Sequence, residues 1–324
     1  MSLEEPGLLK VEDLRVYYKT RSNPVRAVDG VSFSVKRGEI LGIVGESGCG
    51  KSTLANAVLR LIESPAYING GQVFFKDLNL LNIDEEKLNK IRWKEISLIP
   101  QSAMNALNPV MKIYHQIKEV ITDKKIKFSD KEIKEKSEEI MKRLMLPSYI
   151  LNAYPCQLSG GMRQRALLLL AFILNPSLVI ADEPTSAVDV VTQRKILEFL
   201  DMQRKDFGTS IILITHDIAI VAEVADRIMV MYAGKILEMG DVTKIFENPL
   251  HPYTKTLMES IPILGVKREV IGLSGLPPDL RNPPAGCRFN PRCRYSRSTD
   301  ICKLKEPELR YVDNNHLIAC HMYS

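Results

Sequence analysis

The sequence predicts an α/β fold built on a mainly parallel sheet, and three observations carry that expectation. Apolar, β-branched runs alternate with helix-periodic segments through the middle of the chain, the pattern of strands joined by crossover helices. One of those runs, "EILGIVG" (39–45), is continuously apolar, as a strand covered on both faces must be, and "SLVIADEP" (177–184) reads as a second buried strand. The chain has 324 residues, 45% of them apolar, enough for a large core and about two folding units.

Taken in order, residues 8–45 read as short strands with tight turns. "LLKVEDLRVYY" and "AVDGVSFSVKRGEILGIVG" carry β-branched residues broken by Asp-Gly and Arg-Gly turn signals. A helix is expected from Lys51 to about Leu61. Residues 84–158 turn Lys- and Glu-rich with helical spacing. Within them "SDKEIKEKSEEIMKRLML" opens on a capping box, Ser129 with Glu132, and places apolar residues at Ile133, Ile140, Met141, Leu144 and Met145. This stretch reads as a helical insertion, a subdomain over about 84–165. Helices follow over about Arg163–Leu174 and Val191–Arg204, with "SLVIADEP" and "SIILITHD" as strands. Beyond about Pro262, prolines and glycines cluster in "GLSGLPPDLRNPPAG" and the periodicity fades. The expected division is a core over 1–262 and a small loop-rich extension over 263–324, with no internal repeat.

Charge and hydropathy narrow the class. The net charge is +5, with 44 basic and 39 acidic side chains, a mild excess rather than the basic stripe of a nucleic-acid binder. No nucleic-acid partner is expected, although such a surface suits an anionic membrane face. The opening "MSLEEPGLLKVEDL" is acidic and has no apolar run, so it does not read as a secretion signal. The longest strongly apolar stretch, "ALLLLAFIL" (Ala166–Leu174), is far shorter than the ~20 residues that span a bilayer. A soluble, cytoplasmic chain is therefore expected. In that reducing compartment clustered cysteines are more often metal ligands than disulfides.

"GESGCGKST" (Gly45–Thr53) fits G-x-x-x-x-G-K-[ST] and lies between an expected strand and an expected helix. Gly45, Gly48 and Gly50, with Ser47 and Cys49, let successive backbone N–H groups turn inward around phosphate oxygens. Lys51 brings a point charge to the outer phosphates, Ser52 a hydroxyl for Mg²⁺, and the helix beginning near Thr53 its positive end. Cys49 is a tolerated small residue there, with no redox role. "LVIADEP" delivers Asp182 and Glu183 at the end of an apolar strand. In phosphate-loop enzymes such an Asp holds the nucleotide's Mg²⁺, and an adjacent Glu can polarise water for in-line attack on a γ-phosphate.

"LSGGM" (Leu158–Met162) lies about twenty residues before this acidic pair. With the motifs above, the chain is similar to ATP-binding-cassette ATPases. The usual signature is L-S-G-G-Q, so Ser159, Gly160 and Gly161 match and Met162 departs. The resemblance implies that this helix start serves the ATP of a second, facing cassette, a related but distinct chain. It also implies roles for other positions. Tyr18, or its neighbour Tyr17, matches the aromatic that stacks on adenine. Gln101 matches the glutamine linking the Mg²⁺ site to the helical insertion. "SAVD" matches the usual S-A-L-D loop with Asp189 retained, and His216 matches the histidine that contacts the γ-phosphate. The implied fold class is α/β, an ABC-type P-loop ATPase core with a helical subdomain and a small C-terminal Cys-rich metal-binding extension.

The tail narrows the resemblance. "ENPLHPYTKTLMESIP" and "PPAGCRFNPRCRYSRSTDIC" resemble the C-terminal region of oligopeptide and dipeptide importer ATPases. Three of six cysteines fall within sixteen residues, and Cys287, Cys293, Cys302 and Cys320 run C-x5-C-x8-C-x17-C. That spacing is neither a zinc ribbon nor a common ferredoxin pattern. Alone it reads as a four-thiolate metal site, with zinc the commoner guess; the resemblance implies a [4Fe-4S] cluster that staples a segment too poor in apolar residues to order itself. Arg288, Arg292, Arg294 and Arg297 either offset the cluster's negative charge or form a solvated basic face. Cys156 reads as a packed small hydrophobe. The implied function is ATP hydrolysis, with Mg²⁺, that powers import of peptides or short oligosaccharides. The implied partners are two permease subunits, a second cassette and an external solute-binding protein. The implied location is the cytoplasmic face of the membrane. The alternative is a soluble cassette ATPase acting on nucleic acid or ribosomes; the chain has neither the long heptad insertion nor the fused second cassette of those proteins.

Overall fold

The structure is a computed structural model that describes residues 7–101, 106–186, 188–260, 273, 275–296 and 300–323. In chain order the first elements are β1 (Leu9–Tyr18), β2 (Val25–Val35), β3 (Ile40–Val44), α1 (Lys51–Val58), β4 (Ala66–Phe75) and β5 (Leu78–Asn79). Then come α2 (Glu85–Ile91), β6 (Ile96–Ile99), α3 (Ile113–Asp123), α4 (Asp130–Arg143), α5 (Gly160–Phe172), β7 (Leu178–Asp182), α6 (Val190–Phe207) and β8 (Ser210–Ile214). The last are α7 (Ile218–Val224), β9 (Arg227–Tyr232), β10 (Lys235–Asp241), α8 (Val242–Glu247), α9 (Pro252–Glu259), α10 (Ile301–Leu304), β11 (Arg310–Asp313) and β12 (His316–Ile318).

Two compact units result. The first takes Met1–Val35, Leu41–Leu81 and Thr215–Ser324; the second takes Lys36–Ile40 and Asn82–Ile214. The expected boundary near Pro262 lies outside the described residues.

In the first unit, β2-β1-β4-β5 form an antiparallel sheet, and a second set of strands runs β11-β12-β10-β9-β3. Only β3 and β9 in that second set are parallel, Val44 facing Val230. β10 turns back antiparallel on β9, and β12 adds antiparallel to β10 with Ile318 opposite Glu238. The C-terminal residues thus return to a strand laid down some eighty residues earlier. β3 is buried along its whole length. It ends at the glycine loop that precedes α1, which puts that loop at the C-terminal end of a core strand, where α/β folds place ligands.

In the second unit β6, β7 and β8 are parallel, with Ile99 opposite Ala181 and Asp182 opposite Ile214. β7 and β8 are buried at every position. α5 is buried continuously from Ala166 to Phe172, as a helix apolar nearly all round must be. Its Phe172 ring meets Phe199 of α6 edge-on at 5.1 Å between centroids. The expected capping box of α4 is formed: Ser129 Oγ accepts from the Glu132 N–H, and Glu132 accepts from the Ser129 N–H. Among the described residues no helix is long and apolar enough to cross a membrane.

Four expectations change. The sheet is mixed rather than mainly parallel, because antiparallel strands flank the parallel core. α1 stops at Val58, short of Leu61. Met145 is 61% exposed rather than core: α4 ends at Arg143, and Met145 has φ +52°, so the helical period no longer applies there. Cys156 is exposed on a short 3₁₀ turn, Pro155–Gln157, and is not a packed hydrophobe.

Candidate functional site

In the first unit the phosphate loop is shaped by backbone that only glycine can adopt. Gly45 has φ +151° and Gly50 φ +109°. A Cβ on Gly45 would lie 2.1 Å from the Met231 carbonyl oxygen, and one on Gly50 2.1 Å from that of Ala27. Both are overlaps with main chain, which cannot swing aside. The loop is therefore moulded against β2 and β9, with α1 beginning at its end. Lys51 is buried, and its ammonium donates to the carbonyls of Gly45 (2.7 Å) and Glu46 (3.0 Å), folding the loop around its own positive charge. Cys49 is buried beside it, and burial pushes its thiol pKa up. Ser47 and Gly48 are exposed at the rim, and Ser52 and Thr53 are half-buried in the first turn of α1.

The two candidate tyrosines separate. Tyr17 is buried, its hydroxyl donates to Asp29 at 2.6 Å, and its ring meets Tyr67 edge-on. Tyr18 is half-buried and shares a 2.9 Å hydrogen bond with the Thr53 hydroxyl, which anchors it to the helix that follows the loop. Of the two, Tyr18 is the one bonded to the helix that follows the phosphate loop. His216 is exposed between β8 and α7, one residue before Asp217 caps α7.

The second unit carries the remaining candidates. Asp182 is buried at the end of β7. Glu183 follows in a left-handed conformation, φ +51°, with its N–H donating to the Ile214 carbonyl at 2.9 Å. A non-glycine residue held there stores backbone strain, a feature that gathers at functional sites. Gln101 is exposed two residues after β6. Ser159 caps α5 by accepting from the Met162 N–H at 3.3 Å, and Gly160 and Gly161 open that helix. The Tyr149 hydroxyl donates to the Met162 sulfur at 3.9 Å, so the departing residue has its own neighbour. Asp189 caps α6, accepting from the Thr192 N–H and hydroxyl, and its carboxyl pKa is lowered chiefly by that hydroxyl.

The four tail cysteines converge without forming a coordination shell. Cys287, Cys293, Cys302 and Cys320 all line one cavity of about 20 Å³, together with His251 and Phe289, room for about one water. Among the described residues, no three or more His, Cys, Asp or Glu are grouped closely enough to hold a metal ion. The iron–sulfur and zinc expectations are therefore not supported by coordination geometry. Burial first, then the neighbouring cysteines, pushes Cys287 up to about 12; burial also raises Cys293 and Cys320. The fold nonetheless brings the strands of chain close: the Cys287 N–H donates to the Cys302 carbonyl at 2.9 Å, and a Cβ on Gly286 would lie 2.3 Å from that oxygen.

The tail arginines have a role that sequence reasoning missed. Arg288 is buried in an ion pair with Asp29, the same carboxylate that takes the Tyr17 hydroxyl. Burial alone would raise the Asp29 pKa, but that hydroxyl and the charges of Lys235 and Arg288 together lower it. Arg292 pairs with Glu46 inside the phosphate loop. Arg294 lies on the surface, 3.9 Å from Glu259, and Arg297 lies outside the described residues. The arginines thus split between buried struts and surface charge. Glu46 inside the glycine motif was the one available signal; nothing local points to a partner 246 residues away.

Comparison with known proteins places the chain in a family. Residues 28–186 match the family described as ABC transporter, and residues 237–302 match the oligopeptide/dipeptide transporter C-terminal region. The dipeptide transport ATP-binding protein DppD of Caldanaerobacter subterraneus is 43% identical over 98% of this chain and 97% of its own length. The oligopeptide transport ATP-binding protein OppD of Bacillus subtilis is 42% identical over 96% of this chain and 87% of its own. Among solved structures, a dimeric ATP-binding cassette in a post-hydrolysis state, bound to ADP and Pi, aligns with TM-score 0.67 at 28% identity, covering 72% of this chain and 98% of that one. The chain belongs to the ATP-binding proteins of dipeptide and oligopeptide ABC transporters.

Proposed function

We propose that this chain binds and hydrolyses MgATP to power the import of di- or oligopeptides through partner permeases, at the cytoplasmic face of a membrane. The observation that carries the reading is the phosphate loop, whose two sterically obligatory glycines fold it around a buried lysine. The peptide class rests on relatives of this kind along nearly the whole chain.

The roles follow from residue chemistry. The N–H groups of the Gly45–Thr53 loop and the Lys51 ammonium grip the phosphates. Tyr18 stacks on the base. Ser52, Gln101 and Asp182 would hold Mg²⁺, which when bound neutralises charge on the β- and γ-phosphate oxygens. Glu183 orients and polarises the attacking water, and His216 steadies the γ-phosphate. Ser159, Gly160, Gly161 and Asp189 face the nucleotide of a second cassette, a related but distinct chain. Two permeases and an external solute-binding protein complete the assembly.

The same reading gives Cys287, Cys293, Cys302 and Cys320 to a [4Fe-4S] cluster, with zinc as the runner-up. Their convergence on one cavity supplies the donor set, and when bound the metal would tie loops that carry few apolar residues of their own. Metal analysis of purified protein tests it: iron near four per chain supports the cluster, zinc near one supports the runner-up, and neither overturns both.

Two experiments test the main proposal. Glu183→Gln should retain nucleotide binding and lose roughly 10²–10⁴-fold in ATP turnover, and near-normal turnover would remove Glu183 from the mechanism. Gentle affinity purification from membranes should bring down permeases and a second cassette. Recovery with ribosomes or nucleic acid instead would favour a soluble cassette.

A further inference from the structure

The segment that carries the cysteines also reaches into the phosphate loop. Arg292, the residue before Cys293, forks onto the Glu46 carboxylate: Nη1 donates to Oε2 at 2.7 Å and Nη2 to Oε1 at 3.0 Å. The Arg292 side chain is only 5% exposed. Its guanidinium lies 5.7 Å from the centre of the Tyr232 ring, and Nη1 also donates to the Tyr232 hydroxyl at 3.2 Å. A planar fork gripping a carboxylate fixes direction as well as charge, which a lysine in its place could not do.

Glu46 is held at its carboxylate, its N–H and its carbonyl by three different parts of the first unit. Its carboxylate is taken by Arg292. Its N–H donates to the Tyr253 hydroxyl of α9 at 2.9 Å. Its carbonyl accepts from the Lys51 ammonium at 3.0 Å. Tyr232, Tyr253 and Phe289 pack against one another at ring separations of 4.8–5.4 Å, so the anchors themselves are braced. A glycine-rich loop has many conformations to lose on binding, and restraints that hold one of them beforehand strengthen association. The fork has a second consequence. A carboxylate one residue from the phosphate-gripping glycines opposes an incoming polyanion unless a cation neutralises it.

We propose that Arg292 is a positioning residue of the nucleotide site: by gripping Glu46 it sets the phosphate loop in its binding geometry and cancels that residue's charge. The inference rests on the reading of Gly45–Thr53 as the ATP site. It makes the cysteine-bearing segment a structural part of nucleotide binding.

The test is a double-mutant cycle read by calorimetry on the full chain, with Mg²⁺ and a non-cleavable ATP analogue. Arg292→Ala should weaken binding about five- to tenfold, and Arg292→Lys, which keeps charge but loses the fork, about two- to threefold. Glu46→Gln combined with Arg292→Ala should bind more tightly than Arg292→Ala alone, because the uncompensated carboxylate is gone. A merely structural role for Arg292 predicts no such rescue. KM for ATP should rise in step with the loss of affinity, while kcat changes less than about twofold, since the fork acts on the binding geometry and not on the attacking water. If Arg292→Ala does not fold, the Arg292→Lys and Glu46→Gln arms of the cycle decide by the same criterion. Unchanged affinity in Arg292→Lys and Arg292→Ala, or strictly additive losses in the cycle, would overturn the inference. Wild-type protein that binds no analogue at all would overturn the ATP-site reading, and this one with it.

Discussion

The phosphate loop and the cysteine segment are both short, glycine-bearing and poor in regular structure, yet opposite forces hold them. The loop is fixed by main chain against main chain: glycines at 45 and 50 touch carbonyls of β9 and β2, and a buried lysine gathers the loop's own oxygens. The segment is fixed by side chains at long range. Arg288 reaches Asp29, Arg292 reaches Glu46, and Phe289 packs against both Tyr232 and Tyr253. A region held by backbone sterics tolerates almost no substitution at its glycines. A region held by a few ion pairs and rings is ordered only while each of those contacts survives. On the proposed reading the loop binds and the segment props it.

That contrast can be broken or sharpened by substitution. Gly50→Ala should have the largest effect, a destabilisation of about 4 kcal/mol from left-handed strain plus forced overlap, with loss of nucleotide binding, read by denaturant unfolding. An unfolding curve like wild type would mean that the loop is not sterically moulded. Arg288→Ala comes next. Leaving the buried Asp29 with only the Tyr17 hydroxyl and the more distant Lys235 should cost about 3 kcal/mol. The same pair carries a pH signature. The Asp29 carboxyl is depressed below its ordinary 3.8 in the folded chain, so its contribution is fully present above that value. It is lost as pH falls below it, because the unfolded chain then binds the proton more readily. Wild-type stability should therefore drop on acidification below about pH 4, and less steeply in Arg288→Ala. The smallest effect is expected for Tyr253→Phe, which removes the acceptor of the Glu46 N–H and should cost about 1 kcal/mol with a modest rise in KM for ATP. A larger change in Tyr253→Phe than in Arg288→Ala would invert the account of what holds the segment.

Local chemistry was legible in the sequence; distant pairing was not. The Gly45–Thr53 loop, the buried strand ending at Asp182 and the capping box at Ser129 each declare themselves within a few residues, because each is set by backbone conformation or by a contact three residues away. Met145 shows where periodicity misleads, since a helical repeat carried past the last turn points a side chain into solvent. Tyr17 and Tyr18 are equivalent as letters, and only the hydrogen bonds to Asp29 and Thr53 tell them apart. The arginines of the tail read as charge around cysteines, whereas two of them are struts whose partners lie about 250 residues upstream. Such pairings are fixed by topology, which brings β10, α9 and the tail against the loop, and no local pattern encodes them. The cysteines show a further limit. Spacing announces a donor set, and the fold brings Cys287, Cys293, Cys302 and Cys320 to one cavity, but spacing alone does not name what that cavity holds.

The most direct test of the central claim, that the loop ending at Lys51 grips a nucleotide triphosphate, is a calorimetric titration of wild type and Lys51→Ala with Mg²⁺ and a non-cleavable ATP analogue. One site per chain in the wild type, weakened at least about tenfold in Lys51→Ala, is the predicted result. Equal affinity in the two proteins, or no heat of association in either, would contradict it.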